Sequence, residues 1–302
     1  MEHTRLTLLP ERFPYLCQWE ITCRCNLRCV MCYTDCFNRP DKIRQELTTQ
    51  EILRIMDELA DAGCLELCLT GGEPLARPDF FDIYEYAKEK GFLITLFTNG
   101  TLITGEIADR LAARPPHRIE ISLHGLTERT FDDITQGNGS FQRCMRAIGL
   151  LLERKLALVL KTTAMTLNRD EVLAIKQYVN GLGSVGYKLG VEMRPALDGS
   201  EAPARFGLSP SESLDITRQD PELWAETCRV QSQPMPPCES GKHRFHIDAY
   251  GRLQLCSGNR RQGYDLRRGS FQEGFYQALP TFACPFKIGT PASLIRLSAS
   301  HA

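Results

Sequence analysis

The sequence predicts an α/β fold: a partial (β/α)6 TIM-type barrel with a small C-terminal cysteine-bearing extension. From residue 16 to about 195, short apolar strand patterns alternate with helical patterns. The strands are too apolar to lie on a surface, which is typical of a parallel sheet, and right-handed crossovers curl such a sheet into a barrel. Polar, glycine-bearing motifs follow the strand ends, where barrels of this type place their active sites.

Each element of this alternation has its own signal. Thr48 is a helix N-cap, apolar residues recur at helical spacing after it, and Gly63 ends the helix. Strands are predicted at 16–22, 65–69, 93–97, 119–123, 157–164 and 187–193, and helices at 48–62, 78–90, 104–112, 141–154 and 169–179.

The pattern changes after residue 196. We predict a barrel domain at 1–196, a linker and helix at 197–232, and a shortened auxiliary region at 233–302. The linker is rich in Gly, Pro and Ser, and a helix over 211–229 is interrupted at Asp220-Pro221. In the tail, 244–248 and 253–255 flank a turn at Tyr250-Gly251 and predict a hairpin.

Composition and charge limit the classes of partner. The chain has 302 residues and a formal net charge of −1, so no overall field attracts nucleic acid or an anionic membrane. No apolar run is long enough for a signal peptide or a membrane span. We therefore expect a cytoplasmic protein without nucleic-acid or membrane partners.

Cysteine is abundant, with 13 residues, and this number favours metal or cluster ligation over disulfides in the cytoplasm. Isolated cysteines in apolar or helical contexts are expected to be small buried hydrophobic residues: Cys17, Cys64, Cys68, Cys144 and Cys228.

The central motif is the C-x3-C-x2-C run at Cys25, Cys29 and Cys32. Three thiolates on one short loop can bind three irons of a cubane and leave the fourth iron open to a substrate. A structural zinc site would need four ligands, commonly in two pairs, and ferredoxin runs supply four cysteines.

The stretch from Gln18 to Asn168, with ITCRCNLRCVMCY followed by GGEP, resembles the radical SAM superfamily. The resemblance implies a 4Fe-4S cluster on the three motif cysteines and S-adenosylmethionine (SAM) as cofactors, with Met31 beside the adenine. It implies further SAM contacts from the GGEP segment, where Glu73 and the backbone receive the methionine amino group, and from later strand ends: Gly71, Gly72, Glu73, Pro74, Thr98, Asn99 and Ser122.

Other interpretations of these residues stay open. GGEP on its own would be a turn before a helix, and its place one β-α unit after the cysteine loop favours the cofactor role. Cys23 and Cys36 flank the motif as alternative ligands or as reduced bystanders. His124, in SLHG, stands where relatives often carry Asp; it is either a proton-handling group or a structural histidine.

The tail resembles the opening of a SPASM or twitch auxiliary-cluster domain, because Cys238 and Cys256 bracket the predicted hairpin. The resemblance implies these two cysteines and Cys284 as ligands of a second 4Fe-4S cluster. Only Cys284 follows Cys256, so we expect a shortened, divergent or truncated domain; the alternative is a structural tail with incidental cysteines.

The resemblance implies an enzyme that cleaves SAM reductively to a 5′-deoxyadenosyl radical, with a reductant such as flavodoxin or ferredoxin. The SPASM-like tail favours maturation of a peptide or protein substrate. Biosynthesis of a small molecule, such as a haem precursor, cofactor or sugar, is the alternative. Outside enzymes, the rival is an iron-sulfur electron-transfer or cluster-carrier protein, and a zinc-binding interaction module is weaker because no second cysteine pair is present.

Overall fold

A computed structural model of the protein describes residues 10–34, 38–232 and 238–284. The described residues form two compact units: unit 1 contains 10–24, 38–95 and 238–284, and unit 2 contains 25–34 and 96–232. The C-terminal segment thus belongs to the same unit as the first strands. The domain boundaries at 197 and 233 remain predictions from the sequence.

Over residues 16–190, strands alternate with helical segments of one or two helices, as expected. The strands are β1 Leu16–Thr22, β2 Glu66–Gly71, β3 Leu93–Thr98, β4 Arg118–Ser122, β5 Leu158–Thr163, β6 Gly186–Gly190, β7 Arg244–Ile247, β8 Arg252–Gln254 and β9 Tyr264–Asp265. The helices are α1 Pro40–Ile43, α2 Thr49–Asp61, α3 Phe80–Glu89, α4 Gly105–Ala113, α5 Glu128–Thr135, α6 Ser140–Glu153, α7 Val172–Gly181, α8 Pro210–Arg218, α9 Pro221–Ser232 and α10 Phe271–Glu273. Within the described ranges, no helix combines the length and apolar character that crossing a membrane requires.

Unit 1 is built around β1, which pairs in parallel with β2 on one side and with β7 on the other. β8 is antiparallel to β7, and this pair is the hairpin that the sequence predicts. Alternate residues of β1 face opposite sides. One side is apolar and buried at Cys17, Trp19 and Ile21. The other side carries Glu20 and Thr22, so this face of the sheet is polar although it is buried.

Helix α2 shows why the helical predictions succeed. Thr48 and Glu51 form a capping box, in which each side chain accepts a hydrogen bond from the backbone of the other residue. The apolar positions at helical spacing are all buried: Ile52, Ile55, Met56 and Leu59. Gly63, just after the helix, has a φ of +81°, a conformation that glycine adopts without strain.

Unit 2 contains a parallel ladder in which β4 pairs with β5 and β5 pairs with β6. Behind the last strands, Ala164, Val172, Leu189 and Ile216 form a small buried core that joins the sheet to helices α7 and α8. The parallel pairs in both units confirm the predicted sheet type.

Differences from the predictions lie where local signals are weak or short. The interruption predicted at Asp220-Pro221 is present: the first helix ends at Arg218, and Asp220 caps the second, which begins at Pro221. The sequence patterns missed α1, α5, α10 and β9, which have four, eight, three and two residues. Four of the five isolated cysteines are buried as predicted, but Cys228 in α9 is exposed, so that prediction is wrong.

Candidate active site

The entry to the cysteine loop is fixed by Glu46, a buried carboxylate in unit 1. It accepts hydrogen bonds from the hydroxyl of Thr22 and the backbone N–H of Cys23, both at 2.7 Å, and from Nε of Arg24 at 3.2 Å. Three consecutive residues at the end of β1 are therefore held by one side chain. Hydrogen bonds to a charged acceptor are stronger than neutral ones, so this entry is rigid.

Arg77 also stabilises the end of β1. Its guanidinium donates to the carbonyls of Ile21 at 2.7 Å and Leu47 at 2.9 Å, and it pairs with Asp79 at 2.8 Å. A buried arginine that satisfies backbone carbonyls ties the chain segments on both sides of Glu46 together.

The three motif cysteines are half-buried on one loop of unit 2. The N–H of Cys32 donates to the carbonyl of Cys29 at 3.0 Å, which closes a turn over the C-x2-C portion. The N–H of Leu27 lies 3.5 Å from Sγ of Cys25 and points to the sulfur as a donor. Such N–H···S bonds favour the thiolate, the form that binds iron.

The backbone between the cysteines is anchored to neighbouring elements of unit 2. Arg28 and Val30 donate their N–H groups to the carbonyls of Thr135 at 3.1 Å and Ile134 at 2.9 Å, at the end of α5. These contacts alternate with the cysteines along the loop, so the loop backbone is held between its ligand positions.

A side-chain network anchors the same loop to the end of β3. Asn26 donates to the hydroxyl of Thr101 at 2.7 Å and accepts from Asn99 at 3.0 Å. Asn99 in turn accepts from the N–H of Thr101 at 2.9 Å. Asn99, a predicted SAM contact, therefore also positions the cysteine loop.

The donor set fits a cubane better than a single ion. Among the described residues, no three His, Cys, Asp or Glu side chains converge as the ligands of one metal ion would. A cubane needs ligands that do not converge on one point, since each cysteine binds its own iron. Three half-buried thiols on one anchored loop meet that requirement.

The GGEP segment packs against the end of β1 within unit 1. Gly72 donates its N–H to the carbonyl of Thr22 at 2.9 Å, and Glu73 donates its N–H to that of Arg24 at 2.7 Å. A Cβ on Gly71 or Gly72 would lie 2.2 Å or 2.3 Å from a backbone oxygen of these partners. Both positions thus need glycine because the two chains touch.

Glu73 and Pro74 are buried. Oε1 of Glu73 accepts the N–H of Leu75 at 3.2 Å and caps the short 3-10 turn Pro74–Ala76. The GGEP segment therefore leads into a turn before α3, a geometry that both interpretations of the motif allow. That geometry leaves the predicted role of Glu73 in SAM binding untested.

The remaining predicted contacts lie at strand ends of unit 2. Thr98 is buried and its hydroxyl accepts the N–H of Gly100 at 3.0 Å, while Ser122 ends β4 and is half-buried. Met31 is half-buried on the cysteine loop. These residues have the predicted positions, and their contacts with SAM stay predictions.

His124 is held by its neighbours in unit 2. Its Nδ1 accepts the N–H of Thr163 at 3.2 Å, and Asn168 donates to its carbonyl at 2.8 Å. Burial, and then the charge of Lys161, lowers the pKa of His124 to about 4, so the ring is neutral at pH 7. These contacts agree with the structural interpretation of this histidine.

The flanking cysteines have different positions. Cys23 is buried beside the Glu46 network, which agrees with a bystander role, and Cys36 lies outside the described residues. Sequence reasoning missed Glu46 as well as the buried Glu120, which pairs with Lys161 at 3.3 Å and with Lys188 at 2.8 Å. Glu120 and Lys161 interrupt the apolar patterns of two predicted strands. A charged residue in a buried strand needs a partner, and this is the signal by which the sequence could have identified them.

The tail cysteines have unequal exposure: Cys238 is exposed, whereas Cys256 and Cys284 are half-buried. The loop after Cys256 forms two hydrogen bonds with Ala283, the residue before Cys284. Asn259 donates to the carbonyl of Ala283 at 2.9 Å, and Gln262 accepts the N–H of Ala283 at 2.8 Å. Two of the three predicted auxiliary ligands are thus carried by segments that contact each other.

The same loop is tied to β1. Arg260 forms a two-bonded ion pair with the buried carboxylate of Glu20, with one N–O distance of 2.7 Å. An arginine–carboxylate pair of this kind fixes orientation as well as distance. The tail loop is therefore an integral part of unit 1.

Comparisons with known proteins indicate the family of this chain. The pattern of the Radical SAM superfamily matches residues 19–179, more than half of the chain. An AdoMet-dependent heme synthase from Methanosarcina barkeri is 36% identical over 58% of this chain and 49% of its own length. The mycofactocin maturase MftC from Mycobacterium tuberculosis is 33% identical over 62% of this chain and 47% of its own length. The chain spans about half the length of these relatives.

The fold has a close counterpart among solved structures. SuiB from Streptococcus suis bound to S-adenosylmethionine superposes with a TM-score of 0.70, over 88% of this chain and 66% of that one. The identity is 14%, so this likeness concerns the fold alone. It confirms the predicted partial barrel.

Proposed function

The chain belongs to the radical SAM superfamily, whose cofactors are a 4Fe-4S cluster and SAM, and from that membership we propose that it is a SAM-cleaving enzyme. When bound, these cofactors supply a one-electron reductive cleavage whose product, the 5′-deoxyadenosyl radical, abstracts hydrogen from a substrate. The observation that carries the proposal is the C-x3-C-x2-C loop, which the chain anchors directly after a buried strand.

In this proposal Cys25, Cys29 and Cys32 hold the cluster. We assign the binding of the methionine part of SAM to the GGEP segment. The support is that its two glycines let the backbone pack directly against the end of β1, which fixes the backbone at that strand end. For unit 2, the proposal assigns SAM contacts to the hydroxyl and amide dipoles of Thr98, Asn99 and Ser122 at the strand ends.

For the substrate, we favour a peptide or protein. The mycofactocin maturase MftC is among the relatives, and SuiB, with a TM-score of 0.68 to this chain, has been solved bound to the precursor peptide SuiA. The second candidate, a haem precursor or another small molecule, has its support in the AdoMet-dependent heme synthase at 36% identity. A flavodoxin or ferredoxin would supply the electron in either case.

The experiment is anaerobic reconstitution followed by SAM and dithionite. An enzyme of this class releases 5′-deoxyadenosine and methionine. An electron carrier or cluster carrier, the rival outside enzymes, takes up iron and releases neither product. Adding candidate peptides or porphyrins then shows which class increases the release.

Glu73 provides a test of SAM binding. We expect Glu73→Ala to weaken SAM affinity about 10- to 150-fold, because a hydrogen bond to a charged group contributes about 1.5 to 3 kcal/mol. The measurement is a binding titration with the cluster's visible absorption recorded in parallel.

Glu73→Gln is the matched control. It keeps an oxygen that can cap Leu75 but removes the negative charge, so it should also weaken SAM binding while the protein stays as stable as the wild type. If Glu73→Ala lowers stability and leaves SAM affinity unchanged, Glu73 serves only the turn.

The tail gives a prediction about iron content. If Cys238, Cys256 and Cys284 hold an auxiliary cluster, the reconstituted chain carries about eight irons, in two cubanes. Replacing Cys238 and Cys256 together with alanine should then remove about four irons and leave SAM cleavage in place. A wild-type content near four irons, unchanged by the double replacement, would show that the tail is structural.

A further inference from the structure

A long loop of unit 2 lies next to the cysteine loop. Residues 191–209 connect β6 to α8 and contain one short 3-10 turn, Ala204–Phe206. Connections of this length are uncommon in compact domains, and ordered ones are usually active-site lids or binding loops. None of the residues assigned to the cofactors lies in this β6–α8 loop.

Both ends of the β6–α8 loop are attached to the segment that follows β5. The N–H of Ala164 donates to the carbonyl of Gly190 at 2.7 Å, and the N–H of Thr166 donates to the carbonyl of Phe206 at 2.9 Å. Val191, at the start of the loop, lies in the small buried core behind the last strands. The loop therefore leaves the core and returns to it at one place, as Ω-loops do.

Between these anchored ends, the loop is poorly packed. The side chains at 197–202 are exposed, whereas Val191 and Pro203 are buried. Local opening costs little free energy where few apolar groups are buried. The middle of the loop can thus move away from the protein while both ends stay in place.

The tip of the loop is a preformed turn at 196–200. Ala196 donates its N–H to the carbonyl of Ser200 at 2.8 Å and accepts the N–H of Gly199 at 2.9 Å. The carboxylate of Asp198 accepts the N–H of Ser200 at 2.8 Å. Gly199 has a φ of +88°, which strains residues other than glycine. The tip therefore has a fixed shape and moves as one body.

The tip contacts the cysteine loop through its backbone. The N–H of Leu197 donates to the carbonyl of Tyr33 at 2.7 Å, and Tyr33 directly follows Cys32 in the chain. The side chain of Leu197, in contrast, is 40% exposed. This hydrogen bond links the tip to the residue next to a predicted cluster ligand.

We propose that the β6–α8 loop is a lid over the cysteine loop, which opens to admit SAM and is held closed by the hydrogen bond from Leu197 to Tyr33. The inference rests on the proposed function and adds how the cofactor enters its site. A closed lid excludes water, which protects reactive intermediates. The alternative is a loop that belongs to the SAM-binding surface itself, and the rates of SAM binding separate the two.

The test compares Leu197→Pro with Leu197→Ala. Both variants lose the leucine side chain, but only proline removes the N–H that bonds to Tyr33. On anaerobically reconstituted protein, stopped-flow mixing with SAM gives the association rate constant. A chase of bound, labelled SAM with excess unlabelled SAM gives the dissociation rate constant.

We expect Leu197→Pro to raise both rate constants about 2- to 10-fold relative to Leu197→Ala, because a neutral hydrogen bond changes an equilibrium by about that factor. The Kd should stay the same, since a lid that opens more often speeds entry and exit equally. Gly199→Ala strains the tip and keeps the Leu197 donor, so it should also raise both rate constants.

Hydrogen exchange of the chain without cofactors gives a readout that needs no cluster. Residues 192–206 should exchange faster in Leu197→Pro than in Leu197→Ala, because the tip then opens more often. Equal exchange in these two variants overturns the lid, as do unchanged rate constants in both Leu197→Pro and Gly199→Ala.

Faster dissociation without faster association also overturns the lid, because the loop then binds SAM instead of controlling its entry. Failure of the wild type to bind SAM, or to cleave it with dithionite, refutes the proposed function instead. In that case the hydrogen-exchange comparison still decides whether the Leu197 bond holds the loop closed.

Discussion

Cys25→Ala, Cys29→Ala and Cys32→Ala are each expected to abolish SAM cleavage. Two thiolates cannot hold a cubane that keeps one iron open, so each variant should lose the cluster rather than only slow the reaction. The measurement is 5′-deoxyadenosine released with dithionite, together with iron content after reconstitution. The expected loss is complete, the largest effect of any single substitution in the chain.

Cys228→Ala is the control for this series. Cys228 is exposed on α9, so its replacement removes a thiol without opening a cavity and should leave cleavage at the wild-type level. Full turnover in any one of the three motif variants would contradict both the ligand assignment and the proposed function.

Gly72→Ala is expected to lower both stability and SAM affinity. The new Cβ would lie 2.3 Å from the carbonyl oxygen of Arg24, and backbone cannot move away as a flexible side chain would. Overpacking of this kind typically costs about 1 to 3 kcal/mol, and a clash with backbone belongs at the upper end. Urea denaturation measures the stability, and a SAM titration of the reconstituted protein measures the SAM affinity.

Gly105→Ala is the matched substitution at a glycine with free space. No atom lies within 4 Å of a Cβ at that position, the first residue of α4. The variant should be as stable as the wild type or more stable by about 0.4 to 1 kcal/mol, because alanine restricts the unfolded chain. If both variants behave alike, close packing is not the reason for glycine in GGEP.

Local signals were sufficient for most of the fold. Capping residues, apolar spacing and glycines predicted α2 and α4 to within a residue, and Thr104 caps α4 as expected. They failed where two helices follow each other without a strand, as at α5 and α6. There the sequence shows one helical pattern, over 141–154, preceded by a polar stretch that has no apolar run to indicate α5.

The candidate site was predictable only in part, for a physical reason. The C-x3-C-x2-C spacing is local, so it is visible in the sequence. The residues that hold the loop in place are distant from it in sequence: Asn26 contacts Thr101, which is 75 positions away, and Asn99, which is 73 positions away. Such pairs depend on strand register, which one sequence does not encode in any short pattern.

The anchoring of the cysteine loop bears on the order in which the enzyme is assembled. Asn26, Arg28 and Val30 lie between the cysteines, and each forms a hydrogen bond to another part of the chain. Much of the conformational entropy that a loop would lose on capturing a metal is therefore already lost when the chain folds. Such a loop is a preorganised receptor, which contrasts with zinc fingers, where metal capture and folding are one event. Binding of a cluster would then require little further ordering of the loop backbone.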